Sequence, residues 1–172
     1  MLRVDLGQLG REGSVVAEAR ISEDDPLWDE ANLTWTRHVE VRLRATLAGT
    51  GEVVARGSVS GKLRQECRRC LQPVETEFSS DLTLVFVSDP GGGQDDEDEG
   101  GAYRFEPTGA ELDMSSAVRE EVVLAVNPYV VCDPGCQGLC AACGANLNDG
   151  ACGCAVDETD PRWTALRKLK DD

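Results

Sequence analysis

Eight cysteines in a chain of 172 residues constrain this sequence more than any other feature. They fall into two groups: Cys67 and Cys70, then Cys132, Cys136, Cys140, Cys143, Cys152 and Cys154. The start, Met1-Leu2-Arg3-Val4-Asp5, lacks a charged region followed by an apolar one. No apolar run approaches the roughly 18 residues needed to cross a bilayer. The expectation is a cytoplasmic protein that stays where it is made. Thiols are kept reduced there, so clustered cysteines argue for metal ligation over a disulfide framework.

A tetrahedral zinc ion takes four soft ligands at about 2.3 Å, and a Cys-x-x-Cys turn offers two thiolates from one tight loop. Two such turns exist, Cys67-Arg68-Arg69-Cys70 and Cys140-Ala141-Ala142-Cys143, the second followed by Gly144. The preferred grouping places Cys140, Cys143, Cys152 and Cys154 around one ion, because they are local and Gly150 and Gly153 permit a sharp return. Cys67, Cys70, Cys132 and Cys136 then make the second site, fastening the segment after the helix to the sheet. Other divisions, such as the two Cys-x-x-Cys turns facing one another, stay open, and the cofactor expectation is one or two Zn2+ ions. Iron–sulfur ligation uses the same ligands. Thioredoxin-like chemistry fits less well, because neither turn leads from a strand into a helix. A catalytic zinc keeps an open position and often uses histidine. The one histidine, His38, lies far in sequence from both cysteine groups and reads as a surface or edge residue. No phosphate loop, nucleophile elbow or acid pair stands in a recognisable setting, so no catalytic residue is assigned and no enzyme is expected.

The remaining pattern is mostly strand. Val15 to Ile21 reads as an early strand, and the polar, Trp-containing stretch from Ser22 to Thr36 as a loop. Val39, Val41, Leu43, Ala45 and Leu47 alternate with Glu40, Arg42, Arg44 and Thr46, the period of a half-buried strand. After a turn at Ala48-Gly49-Thr50-Gly51, Val53, Ala55, Gly57, Val59, Gly61 and Leu63 continue the inward face of an antiparallel partner. The glycines in it suggest a bend or close packing. A third run places Thr76, Phe78, Ser80, Leu82, Leu84 and Phe86 inward. Asp113 reads as the N-cap of a helix over 113–126 with an apolar stripe at Met114, Ala117, Val118, Val122 and Ala125, closed by Pro128. Asp160-Pro161-Arg162-Trp163 opens a short second helix. The fold class expected is α+β: an antiparallel β-meander or open barrel with one or two short helices and a C-terminal cysteine-rich zinc-binding segment. The division expected is a β-rich domain over 1–131 with a flexible acidic insert at 88–102, and a metal-binding segment over 132–172.

With 17 basic and 32 acidic residues the net charge is -15, which opposes non-specific affinity for nucleic acid or anionic membrane. Outward basic residues nonetheless form a candidate nucleic-acid set: Arg42, Arg44, Arg56, Lys62, Arg64, Arg68 and Arg69. Cross-strand acids such as Glu40, Glu75 and Glu77 would neutralise that face. Arg68 and Arg69, between two ligands, would offset the charge of about minus two on a four-thiolate zinc site.

Cys67-Arg68-Arg69-Cys70-Leu71 on a β-meander, a helix with Val118-Arg119-Glu120, and the cysteine-rich run follow one another in order. The run comprises Cys136-Gln137-Gly138-Leu139-Cys140-Ala141-Ala142-Cys143-Gly144-Ala145-Asn146-Leu147-Asn148 and Cys152-Gly153-Cys154, and the closing Asp160-Pro161-Arg162-Trp163 completes the series. In this order they resemble the YceD-type large-ribosomal-RNA-subunit accumulation proteins over roughly Thr36 to Leu169. The acidic, glycine-rich insert is a departure from that pattern. The resemblance implies a non-enzymatic role in synthesis, processing or stability of large-subunit ribosomal RNA. It implies as partners the large-subunit precursor or its assembly proteins, with no membrane and no small-molecule substrate. Direct RNA binding and metal or redox handling are the competing functions.

Overall fold

In the computed structural model, residues 2–29, 31–49, 51–88, 101–106 and 108–154 are described. They group into two compact units, one from Met1–Gln65 with Val74–Pro128, the other from Glu66–Pro73 with Tyr129–Asp172. Neither unit is one continuous stretch of sequence, because the short segment Glu66–Pro73 belongs with the C-terminal one.

The first unit is mostly sheet. Its strands are β1 (Arg3–Asp5), β2 (Ser14–Ile21), β3 (Thr34–Trp35), β4 (Val39–Ala48), β5 (Glu52–Glu66), β6 (Pro73–Ser88), β7 (Tyr103–Phe105) and β8 (Glu111–Asp113); its helices are α1 (Leu6–Glu12) and α2 (Ser115–Ala125). The main sheet runs β2-β4-β5-β6-β7, with β3 added beside β5, and it is not a closed barrel. Antiparallel pairing of β4 with β5 sets Val41 opposite Val59 and Ala45 opposite Ala55. The alternation read from the sequence therefore holds: Val39, Val41, Leu43 and Ala45 are buried, as are Val53, Ala55, Val59, Leu63, Leu82, Leu84 and Phe86. Leu47, expected inward, is 47% exposed at the strand end.

Two glycines of β5 mark close packing. A Cβ on Gly57 would lie 1.8 Å from the Arg42 carbonyl oxygen of the neighbouring strand, and one on Gly61 would lie 2.6 Å from the Trp35 ring. The Trp-containing stretch is thus not a plain loop. It holds a short 3-10 turn, Pro26–Trp28, and β3, and it buries Trp28 and Trp35 with ring centroids 5.3 Å apart. Trp35 also meets Phe78 edge-on at 5.7 Å, so these rings give a valine-rich core its largest surfaces.

The wholly antiparallel meander needs correction in one place, since β7 pairs parallel with β6. Parallel neighbours need a long connection, and residues 89–102 supply its length. Residues 89–100 of the proposed insert, and the proposed helix beginning at Asp160, lie outside the described residues. A further two-stranded sheet pairs β1 with β8, bringing Val4 opposite Leu112. Helix α2 begins one residue later than expected: Asp113 Oδ1 accepts from the Ser115 N–H at 2.9 Å, while Met114 occupies the cap position. Met114, Ala117, Val118 and Val122 are buried against the core, whereas Ala125 is exposed. No helix among the described residues is long and apolar enough to cross a membrane.

On the outer face Lys62 Nζ lies 2.7 Å and Arg64 3.5 Å from the Glu75 carboxylate. The Lys62 ammonium, then Arg64, hold Glu75 below the usual carboxylate range. Its contribution to stability is therefore present above the ordinary carboxylate pKa and lost as pH falls through the depressed one. Glu75→Gln should be less stable than the parent at neutral pH, and the difference should shrink as pH falls through the depressed carboxylate pKa, in denaturant titrations of both.

Candidate metal centres

All eight cysteines lie in the second unit, and each has a free thiol. They form two sets of four, Cys67, Cys70, Cys132 and Cys136, and Cys140, Cys143, Cys152 and Cys154, with the sulfurs of each set within 4.8 Å of one another. These are the sets preferred from sequence; the two Cys-x-x-Cys turns do not share a cluster. Within the first set Cys67 Sγ is 3.9 Å from Cys136 Sγ, and Cys70 Sγ is 3.6 Å from Cys132 Sγ. A disulfide would need about 2.05 Å. Four sulfurs at about 2.3 Å from one ion stand about 3.8 Å apart along each tetrahedral edge. The spacing is thus that of a four-thiolate metal site, and each set can hold one ion.

The two Cys-x-x-Cys turns are built alike. Cys67 N–H donates to Gln72 O at 2.8 Å and Leu71 N–H to Cys67 O at 2.9 Å. In the second turn Cys140 N–H donates to Ala145 O at 2.8 Å and Gly144 N–H to Cys140 O at 2.9 Å. Each turn closes on a left-handed residue, Gly144 at φ 75° and Leu71 at φ 59°. Glycine takes that conformation freely, while a residue with a Cβ is strained there by roughly 1–2 kcal/mol. Leu71 is 56% exposed, so its side chain recovers little of that by burial. Leu71→Gly should stabilise the metal-loaded protein by about 0.5–1 kcal/mol, whereas Gly144→Ala should cost about 1 kcal/mol. Denaturant midpoints of the loaded proteins measure both.

Electrostatics within the sets are polarised. The Cys70 N–H, then that of Cys132, pulls the Cys67 thiol down to about 6. The N–H groups of Cys143 and Ala142 bring Cys140 to about 6 in the same way. The Asn148 side chain lowers Cys136, its Nδ2 lying 3.4 Å from Sγ. Beside those thiolates their neighbours hold protons: Cys136, then Cys70, pushes Cys132 up to about 12, and Cys143 with Cys152 pushes Cys154 up to about 11. Four crowded thiols cannot all ionise alone, and a divalent cation removes the conflict.

Several supports were not legible as site residues. Asn148 Oδ1 accepts from the Gln137 N–H at 2.8 Å while its Nδ2 reaches Cys136, so one amide orients the loop on both sides of a ligand. Leu139 N–H donates to Arg69 O at 3.1 Å, and a Cβ on Gly138 would lie 3.0 Å from that oxygen. The Asn146-Leu147-Asn148 run carried the only signal for this loop, because asparagines favour such side-chain-to-backbone turns.

The basic residues of the candidate nucleic-acid set do not act as one group. Arg69 donates from Nη1 to Pro134 O at 3.2 Å and to Cys136 O at 2.9 Å, bracing the ligand segment. The Arg68 guanidinium lies 5.8 Å from the centroid of the Tyr129 ring. In the first unit Arg42 pairs with Glu18 at 3.0 Å, while Lys62 and Arg64 share Glu75. Glu40 pairs instead with Arg20 at 3.2 Å, and exposed His38 lies 3.3 Å from the same oxygen. Arg44 and Arg56 sit directly opposite each other on β4 and β5, and among the described residues neither forms an ion pair.

Residues 55–170 match the family described as large ribosomal RNA subunit accumulation protein YceD. The chain is 34% identical over 107 residues to large ribosomal RNA subunit accumulation protein YCED homolog 1, chloroplastic, of Arabidopsis thaliana, covering 58% of this chain and 33% of that protein. It is 30% identical over 114 residues to the Zea mays protein of the same name, covering 51% and 39%. An uncharacterized protein of Mycobacterium tuberculosis is 32% identical over 179 residues, covering 98% of this chain and 81% of the relative. The chain thus spans about a third of the length of the two plant relatives. No solved structure gives a significant match.

Proposed function

We infer that this chain, which belongs to the YceD family of large ribosomal RNA subunit accumulation proteins, is a non-catalytic zinc protein that assists the synthesis, processing or stability of large-subunit ribosomal RNA. One observation carries the metal part of this reading. Among the described residues of the second unit, the buried hydrophobic side chains are Cys67, Cys70, Cys136 and Cys140, and none of that unit's residues belongs to the main hydrophobic core. Where the described residues supply no aliphatic centre, structural zinc can supply folding free energy outright. All-thiolate donors at tetrahedral spacing favour zinc over harder cations. Four protein ligands to each ion leave no position for a reacting water, which supports a structural role.

The ribosomal part follows from the family and from charge. A net charge of -15 favours contact through assembly proteins of the precursor particle over broad adhesion to RNA. Metal analysis of protein produced under reducing, zinc-replete conditions should return two zinc ions per chain; metal-free folded protein would remove this reading. Affinity capture from cells should co-purify large-subunit precursor particles, and their absence would remove the ribosomal assignment. Direct RNA contact is the second reading, and the Arg44–Arg56 pair favours it, since like charges held opposite each other are stabilised by an anion. Under that reading, removing both arginines abolishes salt-sensitive filter binding of ribosomal RNA, whereas removing Arg42 and Arg64, already paired with acids, leaves most of it.

A further inference from the structure

We propose that the two cysteine clusters differ in kind, and that Cys140, Cys143, Cys152 and Cys154 form an exchangeable metal site beside a permanent one at Cys67, Cys70, Cys132 and Cys136. The proposal rests on the reading of both clusters as sites for a divalent ion, and it concerns what separates them.

Three ligands of the permanent site are nearly inaccessible, Cys67 at 0%, Cys70 at 2% and Cys136 at 5% exposure. Two separate chain segments contribute its thiols, and hydrogen bonds beyond the ligands tie those segments together. Arg68 N–H donates to Val130 O at 2.9 Å, and Arg69 Nη1 donates to Pro134 O and Cys136 O. The sulfurs have donors of their own, Arg69 N–H at 3.4 Å from Cys67 Sγ and Asn148 Nδ2 at 3.4 Å from Cys136 Sγ. An incoming chelator must part all of this before it reaches the ion.

The other cluster has the opposite character. Cys143 and Cys154 are exposed, Cys152 is half-buried, and only Cys140 is buried. Its last two ligands lie on a return through Gly150 and Gly153, where a Cβ would meet nothing within 4 Å. Exposed thiolates let a competing ligand attack stepwise, one sulfur at a time, without separating packed chain. Partners around a ligand set are worth about 10–100-fold in metal affinity. The outer site should therefore release its ion at least about tenfold faster than the inner one.

One loop joins the two sites. The loop between Cys143 and Cys152 carries Asn146, Leu147 and Asn148, and it is pinned by Leu147 N–H to Gly138 O at 2.9 Å and by Asn148 to Gln137 and Cys136. Emptying the outer site frees both ends of that loop, while these hydrogen bonds keep its middle on the inner site, so the inner ion stays held when the outer one leaves.

The full chain loaded with two zinc ions and challenged with EDTA tests this. Native mass spectrometry follows the ions, and a pulse of N-ethylmaleimide with peptide mapping follows the thiols. The expected result is a two-ion species passing through a persistent one-ion species, with label on Cys140, Cys143, Cys152 and Cys154 while Cys67, Cys70 and Cys136 stay unlabelled. Cys143→Ser with Cys154→Ser should yield a folded protein holding one slowly released ion. Release of both ions at one rate, or first label on Cys67 and Cys70, would overturn the proposal and leave the zinc reading standing. A chain that takes up no zinc would overturn both.

Discussion

Cys136→Ser should produce a chain that holds one zinc ion in place of two and has lost cooperative structure in the second unit. The expected loss is large because the residue serves three purposes at once. Its sulfur lies 3.9 Å from Cys67 Sγ in the ligand set, its carbonyl accepts from Arg69 at 2.9 Å, and the Asn148 amide is aimed at it. Structural zinc sites in small domains carry about 10–16 kcal/mol of apparent binding free energy at neutral pH, and three remaining thiolates recover only part of that. Amide hydrogen exchange should then rise by orders of magnitude across 66–73 and 129–139, with protection in β4 and β5 unchanged. The comparison variant is Cys154→Ser, whose sulfur is exposed at the other cluster. It should leave protection of 66–73 nearly intact. Equal loss in the two variants would mean that the clusters form a single cooperative site.

Gly57→Val should strongly destabilise the first unit. A Cβ at this position would stand 1.8 Å from Arg42 O, 2.8 Å from the Arg42 carbonyl carbon and 2.9 Å from Leu43 Cα. All three are backbone atoms of the neighbouring strand, so no rotamer change relieves the contact. Overpacking in a core typically costs about 1–3 kcal/mol, and a clash with strand backbone lies at or beyond the top of that range. That is a large share of a usual domain stability of about 5–15 kcal/mol, and the contact is relieved only if the β4–β5 pairing opens or shifts locally. Gly57→Ala should already lower the denaturant midpoint by an easily measured amount. Gly10→Ala, where a Cβ would meet nothing within 4 Å, is the control and should leave the midpoint unchanged or raise it slightly. A folded Gly57→Val protein with the parent's midpoint would show that the two strands do not approach so closely.

Legibility in the sequence followed physical range. Strands β4, β5 and β6 are long, half-buried and largely alternating, so most of each strand reports the same period. The cysteine sets were legible for a related reason: Cys140 to Cys154 are local, glycines mark the return, and four thiols remain for the other site. Three-residue strands offer no period. The pairing of β1 with β8 and the parallel addition of β7 are decided by long-range packing that no window of sequence contains. Trp35 hid in a polar stretch because its burial depends on Gly61, on another strand, leaving room for the ring, and Trp28 packs on Trp35 in turn. Charge misled more subtly. Alternation put Arg42, Arg44, Arg56, Lys62 and Arg64 on one face, but only the register and the positions of Glu18 and Glu75 separate neutralised cations from unneutralised ones. Leu71 gave no hint of its left-handed backbone, since leucine is not a residue that turn chemistry selects.

The discontinuous second unit bears on how the molecule is made. Cys70 and Cys132 are 62 positions apart in the chain. A ribosome adding about 5–20 residues per second needs several seconds between them, and during that interval the early thiols have no lasting partners. Sheet formation can begin from the early strands, but the buried ion can be captured only once Cys132 and Cys136 have been added. Its arrival would thus report that the growing polypeptide has passed residue 136, and a truncated product ending before residue 132 would carry two bare sulfhydryls as the sign that the later ligands are missing.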